Sequence, residues 1–150
     1  MSSSTVRPSI PGTPERLHSV SVIGTLVVVF GIIMILAGGF TWYQVQSQLA
    51  SEKITVSADA SMFAGQAVDT PWEAYSEAET IEKHALAASG GKTYAELPQD
   101  DPNRQVVMTG SFLRASLFTS VLAFGVAFMA IGVGIVLVLV GVGFRRVARA

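Results

Sequence analysis

The sequence predicts a mainly α membrane protein: an antiparallel two-helix transmembrane hairpin carrying a small, mostly helical extracytoplasmic domain. Three observations predict it. Leu117 to Phe144 is a run of 28 residues with no ionisable side chain, and Val20 to Tyr43 is a second run free of charge. Between them, Gln44 to Gly110 is polar, and of the chain's 11 acidic residues all but Glu15 lie from Glu52 to Asp101. Apolar runs of this length need a solvent as apolar as themselves, which is a bilayer.

Composition agrees with that class and excludes others. The chain has 150 residues, 50% hydrophobic and only 14% charged, with a mean hydropathy of +0.49. Soluble domains carry about 25% charge, so one small membrane protein is the simplest organisation. No basic cluster is interleaved with aromatics, which argues against nucleic acid as a partner. Without cysteine there is no disulfide, no thiolate nucleophile and no cysteine-ligated metal.

The elements follow in order. Residues 1–19 are rich in Ser, Thr and Pro with no apolar period, which predicts a disordered cytoplasmic tail ending in an interfacial His18. Residues 20–43 form the first transmembrane helix. Its apolar core, Val20 to Phe40, is roughly 31 Å long as a helix, enough for a hydrocarbon core of roughly 30 Å. Trp42 and Tyr43 then fall where an aromatic belt belongs. A cleaved signal peptide is the competing reading, but its apolar core is about 7–15 residues. Leu36-Ala37-Gly38 is followed by Gly39, not Cys, so lipidation of the lipoprotein kind is excluded.

Residues 44–111 form the acidic extracytoplasmic domain. Gln44 to Lys53 prolongs the first helix for a turn or two. Ile54-Thr55-Val56 reads as extended, and Met62 to Gly65 as a turn with an apolar anchor. A helix near 71–89 has the clearest signals. Thr70-Pro71-Trp72-Glu73 reads as a capping box with Pro at the first position, and Gly90-Gly91 as a stop. Ala74, Ala78, Ile81, Ala85 and Ala88 recur at helical spacing and give a narrow face for close packing. Glu79 and Lys83 are placed for an i, i+4 pair. Ser111 reads as the N-cap of a long helix over 112–144 that contains the second span, with Arg114 as a snorkelling anchor or a docking charge for the acidic loop. Residues 145–150 form a basic cytoplasmic tail. Arg145, Arg146 and Arg149 at one flank and Arg16 at the other place both termini in the cytoplasm and the loop outside, as expected for a multi-pass protein of the plasma (inner) membrane.

The spans carry matched small residues. Gly24, Gly31 and Gly38 are seven apart, as are Ala127, Gly134 and Gly141. That period keeps one stripe on a left-handed seam, where small residues let backbones approach. These six are the helix-packing candidates. Gly125 and Gly132 are also seven apart.

Chemistry-bearing patterns are sparse. Glu73, Glu77 and His84 share a helical face and are weak candidates for a metal site, against a plainly solvated face. No nucleophile elbow, Walker loop or intramembrane charge is present. No catalytic residue and no cofactor are expected.

At Ile54 to Ala60, at His84-Ala85-Leu86 with Gly90-Gly91 and Thr93 to Leu97, and at Phe112 to Val121, the chain resembles a group of small two-span actinobacterial membrane proteins. The resemblance covers about Gly24 to Val142. Such proteins often carry the label of aromatic ring-opening dioxygenases, whose iron subunit uses two His and a carboxylate. No matching positions exist here, so the label reads as a misnomer and implies no catalytic residue. The expected function is that of a structural or interaction protein: an accessory subunit or scaffold that docks on a larger membrane complex or on itself, with the lipid bilayer and another membrane protein or a second copy as partners. The alternative is an extracytoplasmic metal- or ligand-binding enzyme or sensor.

Overall fold

A computed structural model describes residues 14–149, with side chains from His18 onward. The tail expected over residues 1–13, and Ala150, lie outside the described residues. Among the described residues there are three helices: α1 Pro14–Ser51, α2 Pro71–Ala88 and α3 Arg104–Val147. α1 and α3 are long and apolar enough to cross a membrane, and their most apolar stretches are only 11% and 17% buried within the chain. A core helix of a soluble domain would be mostly covered, so these surfaces call for apolar solvent.

Two helix starts differ from expectation. α1 begins at Pro14 rather than Val20, so the part of the 1–19 tail from Pro14 onward is helical. Pro is pre-organised for a first helical position, where no amide donor is needed. α3 begins at Arg104, well before Phe112. Asp101 sets that start: its Oδ1 accepts the Asn103 amide at 2.8 Å and its carbonyl accepts the Arg104 amide at 3.1 Å. Ser111 is therefore not a cap. It lies inside α3, and its hydroxyl donates back to the Val107 carbonyl at 2.9 Å, which lets serine sit in a helix interior.

The chain divides into two compact units, one comprising the residues up to Ile35 with those from Gly132 onward, the other Leu36–Ile131. In the first, α1 and α3 meet at glycines. A methyl carbon placed on Gly24 would lie 2.8 Å from the Gly141 carbonyl oxygen, and one on Gly31 would lie 2.7 Å from that of Gly134. Only hydrogen fits at such separations. The apolar side chains around them, among them Leu26, Ile33 and Leu139, stand exposed.

In the Leu36–Ile131 unit, Gly38 meets Ala127 in the same way, a methyl carbon there lying 2.7 Å from the Ala127 carbonyl oxygen. Trp42 packs edge-on against the buried Phe124, with ring centroids 4.8 Å apart. α1 ends at Ser51, and Lys53 takes a left-handed backbone with φ 54°. The chain then forms an antiparallel bridge between Thr55 and Ala67. The Val56 amide donates to the Gln66 carbonyl at 2.8 Å and the Val68 amide to that of Ile54 at 2.9 Å. Val56 and Val68 join Leu49, Ala74, Ala78 and Leu117 in one apolar core, with Phe63 of the connecting turn packed against it.

Candidate functional site

The unit's polar chemistry is organised by α2. Thr70, in extended conformation, caps it, with Pro71 following. The Glu73 carboxylate turns back to accept the Thr70 amide at 3.2 Å and also the Thr70 hydroxyl. At the other end Gly90 and Gly91 have φ of 66° and 83°, and the Gly91 amide donates to the Leu86 carbonyl at 2.7 Å. This left-handed turn satisfies carbonyls that the last helical turn leaves open, and glycine adopts it without a steric penalty.

The apolar face of α2 is the alanine face. Ala74 and Ala78 are fully buried. Further along, a methyl carbon on Gly110 of α3 would lie 3.0 Å from the Ala85 Cβ. The missing side chain at Gly110 thus brings α3 close to α2, as small residues on facing helices do.

Of the candidate ligands, Glu73, Glu77 and His84, the fold does not bring the three together. Glu73 serves the cap. Glu77 is buried and accepts the Ser57 amide at 2.6 Å and the Ser57 hydroxyl at 2.9 Å. His84 Nε2 lies 2.7 Å from Asp59 Oδ2 on the surface. Among the described residues no group of three His, Asp or Glu side chains is placed to hold a metal ion. Glu77 and His84 instead tie the 54–68 segment to α2 at two points.

Other contacts were not visible in the sequence. Glu79 accepts the Tyr75 hydroxyl at 2.8 Å, and no ion pair joins it to Lys83 among the described residues. That hydrogen bond raises the Tyr75 pKa above the usual phenol range. Arg114 reaches Glu82 at 2.7 Å and stacks over Phe118 at 5.2 Å, while Phe118 meets Tyr75 edge-on. It therefore docks α3 on α2 rather than only snorkelling. Arg104, at the start of α3, donates to the Leu97 carbonyl at 2.6 Å and lies 4.0 Å over the Tyr94 ring. The Glu96 carboxylate closes that turn by accepting the Thr93 amide and hydroxyl, both at 2.8 Å. The amide lowers the Glu96 pKa, and the His84 hydrogen bond lowers that of Asp59.

A half-open groove of about 800 Å³ runs beside these contacts. Ligand sites span about 300–1,000 Å³. Leu49, Ile54, Ile81, Leu113 and Leu117 give it an apolar wall, Glu52 and Glu77 add carboxylates, and Val45 and Ala123 mark another part of its lining. No protein-family model, curated protein or solved structure matches this chain.

Proposed function

We propose that the chain is a structural and interaction protein of the plasma membrane: an antiparallel two-span hairpin with both termini in the cytoplasm, whose extracytoplasmic unit docks on another membrane protein. The observation that carries this reading is how the unit spends its side chains. Glu73, Glu77 and His84, the residues best suited to chemistry, are each engaged in a hydrogen bond that holds the fold. Trp72, Phe112 and Met62, by contrast, are 68%, 67% and 59% exposed in or beside the polar 44–110 segment. Large exposed aromatics and methionine are the anchors that protein interfaces favour. The hairpin is supported in the first unit by Gly24 and Gly31 meeting Gly141 and Gly134, and in the second by Gly38 and Trp42 meeting Ala127 and Phe124, position in each rising along one helix as it falls along the other.

The test is site-specific photo-crosslinking in native membranes, with the reactive amino acid replacing Trp72 or Phe112. A discrete adduct to another membrane protein is the expected result, and a dimer of this chain would point to self-association. Recovery of the monomer alone from both positions would overturn the reading. Reporter fusions at Thr80 and at the C-terminus check the sidedness: activity of a periplasm-dependent reporter at Thr80 and of a cytoplasm-dependent one at the C-terminus is expected.

A further inference from the structure

We infer that the groove between α1, α2 and α3 is a lipid site selective for a primary-ammonium head group, with one alkyl chain leaving it toward the bilayer. This inference rests on the membrane-spanning reading above.

Charge comes first. The groove is lined by two carboxylates, Glu52 and Glu77, and by no basic side chain. Glu77 is only 6% exposed, and its hydrogen-bond partners are the neutral Ser57 amide and hydroxyl. No ion pair neutralises it among the described residues. A buried carboxylate without a counter-charge is costly, and a nearby cation offsets that cost.

Hydrogen-bonding capacity points the same way. The Thr119 and Ser120 hydroxyls on the lining already donate to their own helix, to Ala115 and Ser116 carbonyls at 2.8 and 3.3 Å. What they offer the groove is acceptor oxygen. With the two carboxylates, the lining presents acceptors in excess, with the Gln48 amide and the Ser116 hydroxyl as its mixed groups. An ammonium has three donors and no acceptor, so it matches this lining, whereas a head group with phosphate or carboxylate and no ammonium would bring an anion to the two carboxylates with no cation to offset them.

The apolar wall determines the rest of the ligand. Leu49, Leu113, Leu117 and Ile81 suit an alkyl chain. Val45 and Ala123, also on the lining, adjoin the Trp42–Phe124 pair in sequence, where α3 is already within its charge-free run. A chain lying along the groove can therefore pass into the bilayer beside the second span. The source of the ligand is thus the membrane itself, and phosphatidylethanolamine is its simplest abundant representative.

The full chain, purified in mild detergent and offered phosphatidylethanolamine or phosphatidylglycerol in mixed micelles, provides the test, with retained lipid counted by native mass spectrometry. Retention of the amine lipid by roughly tenfold over the anionic one is expected. Glu52→Gln, at an exposed position, should narrow that ratio. Ser120→Trp should fill the groove and abolish retention, while Leu122→Trp, on an exposed face of the same helix, should leave it unchanged. Equal retention of the two lipids, or undiminished retention in a Ser120→Trp variant of native helix content, would overturn the proposal. Carbonate washing of membranes separates the two readings. Release of the chain would overturn the membrane reading and this proposal together; a chain that stays embedded yet shows no lipid preference would overturn this proposal alone.

Discussion

Around Gly31 and Gly134 two helix backbones meet with no side chain between them, whereas α2 is enclosed around Ala74 and Ala78 by Val56, Val68 and Leu49 and pinned by the hydrogen bonds of Ser57 to Glu77 and of Ser76 to the Met62 carbonyl. On the membrane-spanning reading proposed above, the two regions answer different solvents. Apolar side chains on a spanning helix gain nothing by leaving lipid, so association there depends on backbone proximity and dispersion. The 54–97 region, proposed to face water, gains by burying valine, leucine and alanine, and must then satisfy every polar group it encloses.

The largest effect that would break this contrast belongs to the seam. Gly31→Leu should destabilise the chain by about 3 kcal/mol, because its first side-chain carbon already meets the Gly134 carbonyl. Gly132→Leu, one residue type and one helix apart, has nothing within 4 Å of the new carbon, and its effect should stay within about 0.5 kcal/mol. Unfolding titrations in mixed micelles compare them, and equal effects would mean that helix contact does not hold the first unit.

A smaller effect sharpens the other side. Glu77→Gln keeps the shape but weakens two charge-assisted bonds to Ser57, at a cost of about 2 kcal/mol. Amide hydrogen exchange at Ser57 should accelerate, while the amides of α3 near Gly134 should not respond.

The smallest effect is on pH. The folded state lowers the Asp59 and Glu96 pKa values, through the His84 and Thr93 hydrogen bonds respectively. Folding therefore favours their ionised forms. That contribution is complete above the ordinary carboxylate range near about 4 and is lost as pH falls through the lowered native values. Tyr75 has the opposite sign. Its pKa is raised chiefly by the Glu79 hydrogen bond, so its contribution holds below about 10 and is lost as pH rises through the native value. All three groups are solvent-screened, so thermal melts should show a shallow decline at both extremes rather than a sharp transition. Asp59→Asn with Glu96→Gln should flatten the acid side alone.

Much of α2 was legible because its signals are local. Thr70, Pro71, Glu73 and Gly90-Gly91 act within a few residues of where they stand. The period-seven glycines were legible for a similar reason, since one spacing defines one stripe. The start of α3 was not. Gly110-Ser111 has the composition of a break, yet the gap at Gly110 is filled by Ala85 from another helix, and Ser111 finds its partner one turn back. Glu77 was equally opaque: its donor, Ser57, lies 20 residues away in a segment with no regular period. Arg114 was legible as a snorkelling anchor or a docking charge, but its partner, Glu82, lies 32 residues away on another helix and no local pattern names it.

The glycine pairs have one more consequence. At Gly24 and Gly141, and again at Gly31 and Gly134, the position of the absent methyl on each residue points at the other's carbonyl oxygen, at 2.6 to 2.8 Å. The atom occupying that direction is an α-hydrogen, so each glycine both offers a C–H donor and receives one. Such reciprocal Cα–H···O contacts contribute about 0.5–1 kcal/mol each, and in hydrocarbon no water competes for them. Two residues with no side chain thereby form a directional polar contact where the surrounding solvent has none to give.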